Sequence, residues 1–218
     1  MGPSRCSGRW RVGTTGPGVE EPRVKVKVCL VGANTGCKTE LVRKHVLDTC
    51  SDRWIEEVGT KVTKKELKLR PSAAEPPVTV DLMVWDLVSE PGFRGLLRDE
   101  HIRGSSGVIA VTDMTRRRTL DELHEWIEEV EDVTGPVPVA VIGANHDKTE
   151  NLEITEAEVA AAAKTHDAPC FFEPSGAGES VEAAFRYLAE AFLPSALGGR
   201  GGRTARGERE SRRAHPPR

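Results

Sequence analysis

The apolar and polar positions of this chain alternate between two periods. VKVKVCLVG (24–32) alternates and then turns fully apolar, the pattern of a strand that enters a buried sheet. VTVDLMVWD (78–86), GVIAVTD (107–113), VPVAVIG (137–143) and PCFFE (169–173) read as further strands, and TKVTKKELKLR (60–70) alternates as an edge strand does. KTELVRKHVL (38–47), TLDELHEWIEEVEDV (119–133), TEAEVAAAAKTH (155–166) and ESVEAAFRYLAEAFL (179–193) carry apolar residues at helical spacing. Thr119 and Thr155 are expected as N-caps of the second and third. Strands that alternate with helices imply a mostly parallel sheet covered on both faces. Ligands of such sheets bind at the carboxyl ends of the strands.

Composition sets the outer limits. The chain has 218 residues, enough for one domain with a full core. Residues 1–22 and 195–218 are rich in Gly, Pro, Ser and Arg without periodicity, and are expected to be disordered tails. The domain is then 23–194. The net charge of −3 is uneven, because residues 198–218 carry +5 and residues 1–22 carry +1, which leaves −9 between them. An acidic globule is a poor polyanion binder. The Arg/Gly tail lacks interleaved aromatics, so no specific nucleic acid is expected.

Five cysteines show no C-x-x-C pair, so no zinc site is expected from them, and the usage suits a reducing cytoplasm. No run is long enough to span a membrane. MGPSRC has Cys6 where myristoylation requires Ser or Thr, and AHPPR has no prenylation cysteine. A cytoplasmic monomer is the expectation.

Four loops at strand ends carry candidate chemistry. The first, GANTGCKTE (32–40), nearly matches the phosphate-loop pattern G-x-x-x-x-G-K-[ST]: Gly32, Lys38 and Thr39 fit, and Cys37 stands where the second glycine belongs. Backbone N–H groups and a helix N-terminus would hold phosphate oxygens, with Lys38 adding charge and Thr39 a hydroxyl for Mg²⁺. The second holds Asp86 at the end of an apolar strand, where a carboxylate is costly unless it caps a helix or holds a metal's water. The third holds Asn145, His146 and Asp147, whose side chains can hydrogen-bond a base. The fourth holds Ser175 and Gly176 in EPSGAGES. Taken singly, each loop is also readable as an ordinary turn or helix cap, and that plain reading leads at the second and third.

In order and spacing, these loops resemble those of the Ras/Rab-like small GTPases. KVCLVGANTGCKTELVRKHVL is similar to the family's first strand, phosphate loop and first helix. GTKVTKKELKL with VDLMVWD, and WIEEVEDVTGPVPVAVIG with ESVEAAFRYLAEAF, continue the likeness across residues 24–193. It most resembles prokaryotic members, archaeal ones especially. The resemblance implies an α/β fold, with a six-stranded sheet ordered 2-3-1-4-5-6 and five helices. It implies GTP/GDP and Mg²⁺ as ligands and a protein effector or regulator as partner. The implied nucleotide-binding residues are Gly32, Asn34, Thr35, Gly36, Cys37, Lys38, Thr39, Asn145, Asp147, Ser175 and Gly176. The implied metal ligands are Thr39 and Asp86, and Glu90 occupies the position of the catalytic glutamine.

The motifs depart from the family at each loop. Cys37 brings a Cβ and sulfur where the family has glycine. As a thiol at a helix N-terminus beside Lys38, it is expected to be reactive and to obstruct phosphate. Alternatively, Gly36 re-forms the loop one residue early and Cys37 is an inert core thiol. Glu57 stands where switch I has its Mg²⁺-binding threonine, Ser89 replaces the switch II glycine, and Ala144 and Asn145 replace the asparagine and lysine of N-K-x-D. Two functions follow from this mixture: a guanine-nucleotide-binding protein with impaired GTP hydrolysis, or a pseudo-GTPase that serves as a protein-interaction module.

Overall fold

The computed structural model describes residues 22–32, 37, 38, 40, 41, 55–57, 60–71, 76–87, 98–174 and 178–196. Seven strands form one sheet: β1 Arg23–Gly32, β2 Ile55–Glu57, β3 Thr60–Leu69, β4 Val78–Leu87, β5 Gly107–Asp113, β6 Val139–Ala144 and β7 Cys170–Glu173, in the order β2-β3-β4-β1-β5-β6-β7. Six of these are the expected strands in the expected order. The seventh is the three-residue β2, which pairs antiparallel with the start of β3, so that β3 is not a free edge there. β3 also runs antiparallel to β4, and every remaining pairing is parallel.

The period-two pattern of β1 explains the two-sided core. Val26, Val28 and Leu30 join one apolar cluster with β4 and Val181, Phe185 and Leu188. Cys29 and Val31 join a second cluster with Leu123, Ile127, Val130 and Val159. Successive side chains of a strand point to opposite faces, so one run of residues serves both layers. Each fully buried aliphatic side chain contributes about 1.5–3 kcal/mol.

The helices are α1 Arg98–Ile102, α2 Arg117–Asp121, α3 Leu123–Thr134, α4 Glu156–Thr165 and α5 Glu179–Ala196. Residues 37, 38, 40 and 41 are also helical. α2 and α3 are nearly one helix, because Glu122 N–H bonds Arg118 O and Trp126 N–H bonds Glu122 O across the break. α5 covers the first cluster, and α3 and α4 the second. Among the described residues no helix is long and apolar enough to cross a membrane.

Thr155 caps α4 as expected, in a reciprocal capping box with Glu158. Thr119 does not cap. It lies within α2, buried, where its hydroxyl accepts from Asp113 N–H (2.9 Å) and donates to Arg116 O (2.8 Å). The cap position belongs to Arg116. A threonine hydroxyl bonds whichever backbone group the tertiary fold brings near, and here that is the end of β5.

Candidate functional site

Parallel strand register brings the predicted loops to one edge of the sheet. Leu30 pairs with Asp86, Gly32 with Val111, Asp113 with Ala144, and Ala144 with Glu173. The carboxyl ends of β1, β4, β5, β6 and β7 therefore form one rim, and Gly32, Asp86, Asp113, Asn145 and Glu173 lie along it.

Gly32 ends β1 with φ +129°, and a Cβ there would stand 2.2 Å from Val111 O. Glycine is thus dictated by the backbone of β5 as well as by any ligand. Cys37 and Lys38 are helical and both buried.

Lys38 reaches back across the strand ends. Its ammonium donates to Leu87 O (2.5 Å) and more weakly to Gly32 O (3.5 Å). It also lies 3.2 Å from Asp86 Oδ1. Buried charges of this kind must be paired, and these two pair with each other. Asp86 Oδ1 is within ion-pair distance of Lys38 yet not aligned as a hydrogen bond, and it has no hydrogen-bond partner among the described residues. A buried carboxylate oxygen in that condition suits a metal-bound water. The donor set of Asp86 with a threonine hydroxyl is one that Mg²⁺ accepts.

Cys37 settles between the two expectations set out for it. Its side chain is 9% exposed and belongs to the apolar cluster with Leu41, one helical turn on, and with Leu30 and Val84. That burial supports the second expectation, an inert core thiol, because a buried thiol behaves as a small apolar group.

At the far end of the rim, Asn145 adopts a left-handed conformation (φ 61°). Its amide Nδ2 donates to Asp113 Oδ1 at 2.9 Å. The same oxygen accepts from the backbone and hydroxyl of Thr115. Asn145 thus ties the loop after β6 to the end of β5. Asp147 lies exposed just beyond it. His146 packs beside Phe172, with ring centroids 6.5 Å apart.

Glu173 is buried at the end of β7 and accepts backbone N–H groups from Gly178, Ser180 (3.2 Å) and Val181 (3.4 Å). It anchors the amino end of α5. Asp113 and Glu173 were not singled out from the sequence. The available signal was an acidic residue ending an apolar strand, the same signal that marked Asp86. Asn34, Thr35, Gly36, Thr39, Glu90, Ser175 and Gly176 lie outside the described residues, as do Ser89 and the side chain of Glu57.

Comparison with known proteins gives a consistent picture. The family model described as the Ras family matches residues 27–193. The chain is 25% identical over 167 residues to a Ras-related protein Rab-4 of Dictyostelium discoideum, a span covering 76% of this chain and 78% of the relative. It is 24% identical over 169 residues to a Ras-related protein rab-39 of Caenorhabditis elegans, covering 75% and 71%.

Proposed function

The chain belongs to the Ras family, and on that premise we propose that it binds guanine nucleotide weakly along the strand-end rim and hydrolyses GTP slowly. Membership makes it a small GTPase-like, nucleotide-binding protein; the weakness and the slowness are the proposal. The observation that carries it is Lys38, buried at the junction of β1 and β4 beside a carboxylate oxygen with no hydrogen-bond partner among the described residues. That is a phosphate-directed cation next to a place for a cation's water. The phosphates would lie on the backbone of 32–39, with Lys38 as their point charge. Thr39 and Asp86 would hold Mg²⁺, which supplies charge neutralisation on the phosphates when bound. Asp147 would accept the N–H groups of the guanine edge, with Ser175 and Gly176 closing over the ring.

Weakness follows from what surrounds these groups. Lys38 already has Leu87 O and Asp86 as partners, so a phosphate must compete with them. Asn145 is bonded to Asp113 and supplies no long aliphatic stem over the base. Ala144 is buried and offers no amide at its own position.

Slowness follows from positions 57, 89 and 90. Glu57 offers a carboxylate where a neutral hydroxyl is needed. Ser89 adds a Cβ where a backbone N–H must approach phosphate. Glu90 cannot donate as an amide does and carries negative charge toward the nucleophile's path. Single-turnover GTP hydrolysis tests this, with the wild type compared with Ser89→Gly/Glu90→Gln. The variant is expected to be faster by tenfold or more. Equal rates in the two proteins would overturn the assignment.

A second reading, the pseudo-GTPase used as an interaction module, is favoured by the internal satisfaction of Lys38 and Asn145. It predicts no nucleotide turnover, so the absence of any GTP hydrolysis above the uncatalysed rate would favour it over slow hydrolysis. Under both readings the protein is taken as a cytoplasmic monomer that engages a protein effector or regulator. The likeness to prokaryotic, archaeal members rests on the sequence resemblance alone.

A further inference from the structure

On the sheet face that carries α3 and α4, two histidines from different helices meet. His124 is the second residue of α3, and His166 is the C-cap of α4. His124 Nδ1 stands 2.8 Å from His166 Nε2, and the ring centroids are 4.7 Å apart. The other nitrogen of His124, Nε2, is 3.0 Å from Glu128 Oε1, one turn along α3.

The carboxylate within ion-pair distance of Nε2 favours the tautomer in which His124 carries its proton there and keeps the Nδ1 lone pair when the ring is neutral. His166 Nε2–H then donates to that lone pair. If His166 holds its proton on Nδ1 instead, two imidazole lone pairs converge on the gap between the helices. A histidine ligand backed by a carboxylate is the usual arrangement around a bound transition metal.

We propose that His124 Nδ1 and His166 Nε2 form a site for a borderline divalent transition ion such as Zn²⁺ or Ni²⁺, with water completing the coordination and Glu128 orienting His124. Two nitrogens at metal-bond length and tetrahedral angle stand about 3.3 Å apart, so the pair must open by roughly half an ångström. The His124 side chain is 58% exposed and can move that far. Among the described residues no group of three or more His, Cys, Asp or Glu side chains could hold a metal. The affinity is thus that of a two-ligand site, below that of four-ligand structural zinc. Imidazole selects Zn²⁺, Ni²⁺ and Cu²⁺ over hard Mg²⁺, which separates this site chemically from the strand-end rim.

The test is titration of the full chain with Ni²⁺ and with Zn²⁺ against a chromophoric chelator at neutral pH. One equivalent is expected to bind in competition. His124→Ala and His166→Ala should each weaken it at least tenfold. Glu128→Gln leaves both ligands and the helix surface in place, and should weaken it about tenfold. His101→Ala should change nothing. Affinity unchanged in both alanine variants, or no binding above that of the His124→Ala/His166→Ala double variant, would overturn the proposal.

Discussion

Lys38 Nζ lies 3.2 Å from Asp86 Oδ1, and the two side chains are 3% and 4% exposed. Lys38 and Asp86 are each other's counter-charge across the ends of β1 and β4. Taking both charges out of water is costly, and their attraction offsets that cost only while both are present.

Removing one partner should therefore be severe. Lys38→Met leaves Asp86 buried without its cation and is expected to cost about 3–5 kcal/mol. Asp86→Leu should do the same to Lys38. The Lys38→Met/Asp86→Leu double variant should be far more stable than the sum of the singles implies. Urea unfolding of the four proteins measures this. Additive losses would show that the pair is not coupled.

Cys37 gives a prediction of the opposite kind from the one its sequence context invites. Because it is buried in the apolar cluster that also holds Leu30, Leu41 and Val84, Cys37→Gly should cost about 1–2 kcal/mol, from a lost buried side chain and a helical glycine. Labelling by a thiol reagent should be slow in the native protein. Fast labelling, with no loss of stability in the glycine variant, would place the thiol at the phosphate site instead.

Gly32→Ala should destabilise by about 2–5 kcal/mol, because its φ of +129° and the contact with Val111 O leave no room for a Cβ. The loss should appear in the absence of any nucleotide. A variant that unfolds like the wild type and fails only in nucleotide binding would mean that the glycine serves the ligand alone.

The capping box of α4 sets a pH dependence. Glu158 is pulled down to about 2, first by the Thr155 N–H, then by the Thr155 hydroxyl and Arg117. A carboxyl depressed in the folded state stabilises the protein above its ordinary value of 4.5. That contribution is lost as pH falls from about 4.5 toward 2. A carboxyl-carbon NMR titration should place the Glu158 midpoint near 2, and Thr155→Ala should move it upward. A wild-type midpoint at the ordinary value would contradict the geometry.

These outcomes divide along the same line as legibility. The strand β1 was readable because a period of two and an apolar run are local facts, and so was the Thr155 cap, whose partner is three residues away. Thr119 was misread because its hydroxyl serves Asp113, a residue of a neighbouring strand. β2 was not foreseen because three residues carry no periodicity and exist as a strand only through β3. The rim was legible as a set of strand ends, but not its internal bonds. Whether Asn145 faces a base or Asp113 depends on a left-handed backbone, and the phase that buries Cys37 depends on where the helix begins. His124 and His166 stand 42 positions apart in the chain, and nothing local joins them.

The central claim is that this rim still binds a guanine nucleotide. Calorimetric titration of the nucleotide-free chain with GDP and with ADP, each with and without Mg²⁺, tests it most directly. The account predicts one weak GDP site, strengthened by Mg²⁺, with ADP weaker by about 1–3 kcal/mol for the loss of the contacts at Asp147, by analogy with a bidentate base contact. Equal heats for GDP and ADP, or no binding of either, would contradict it.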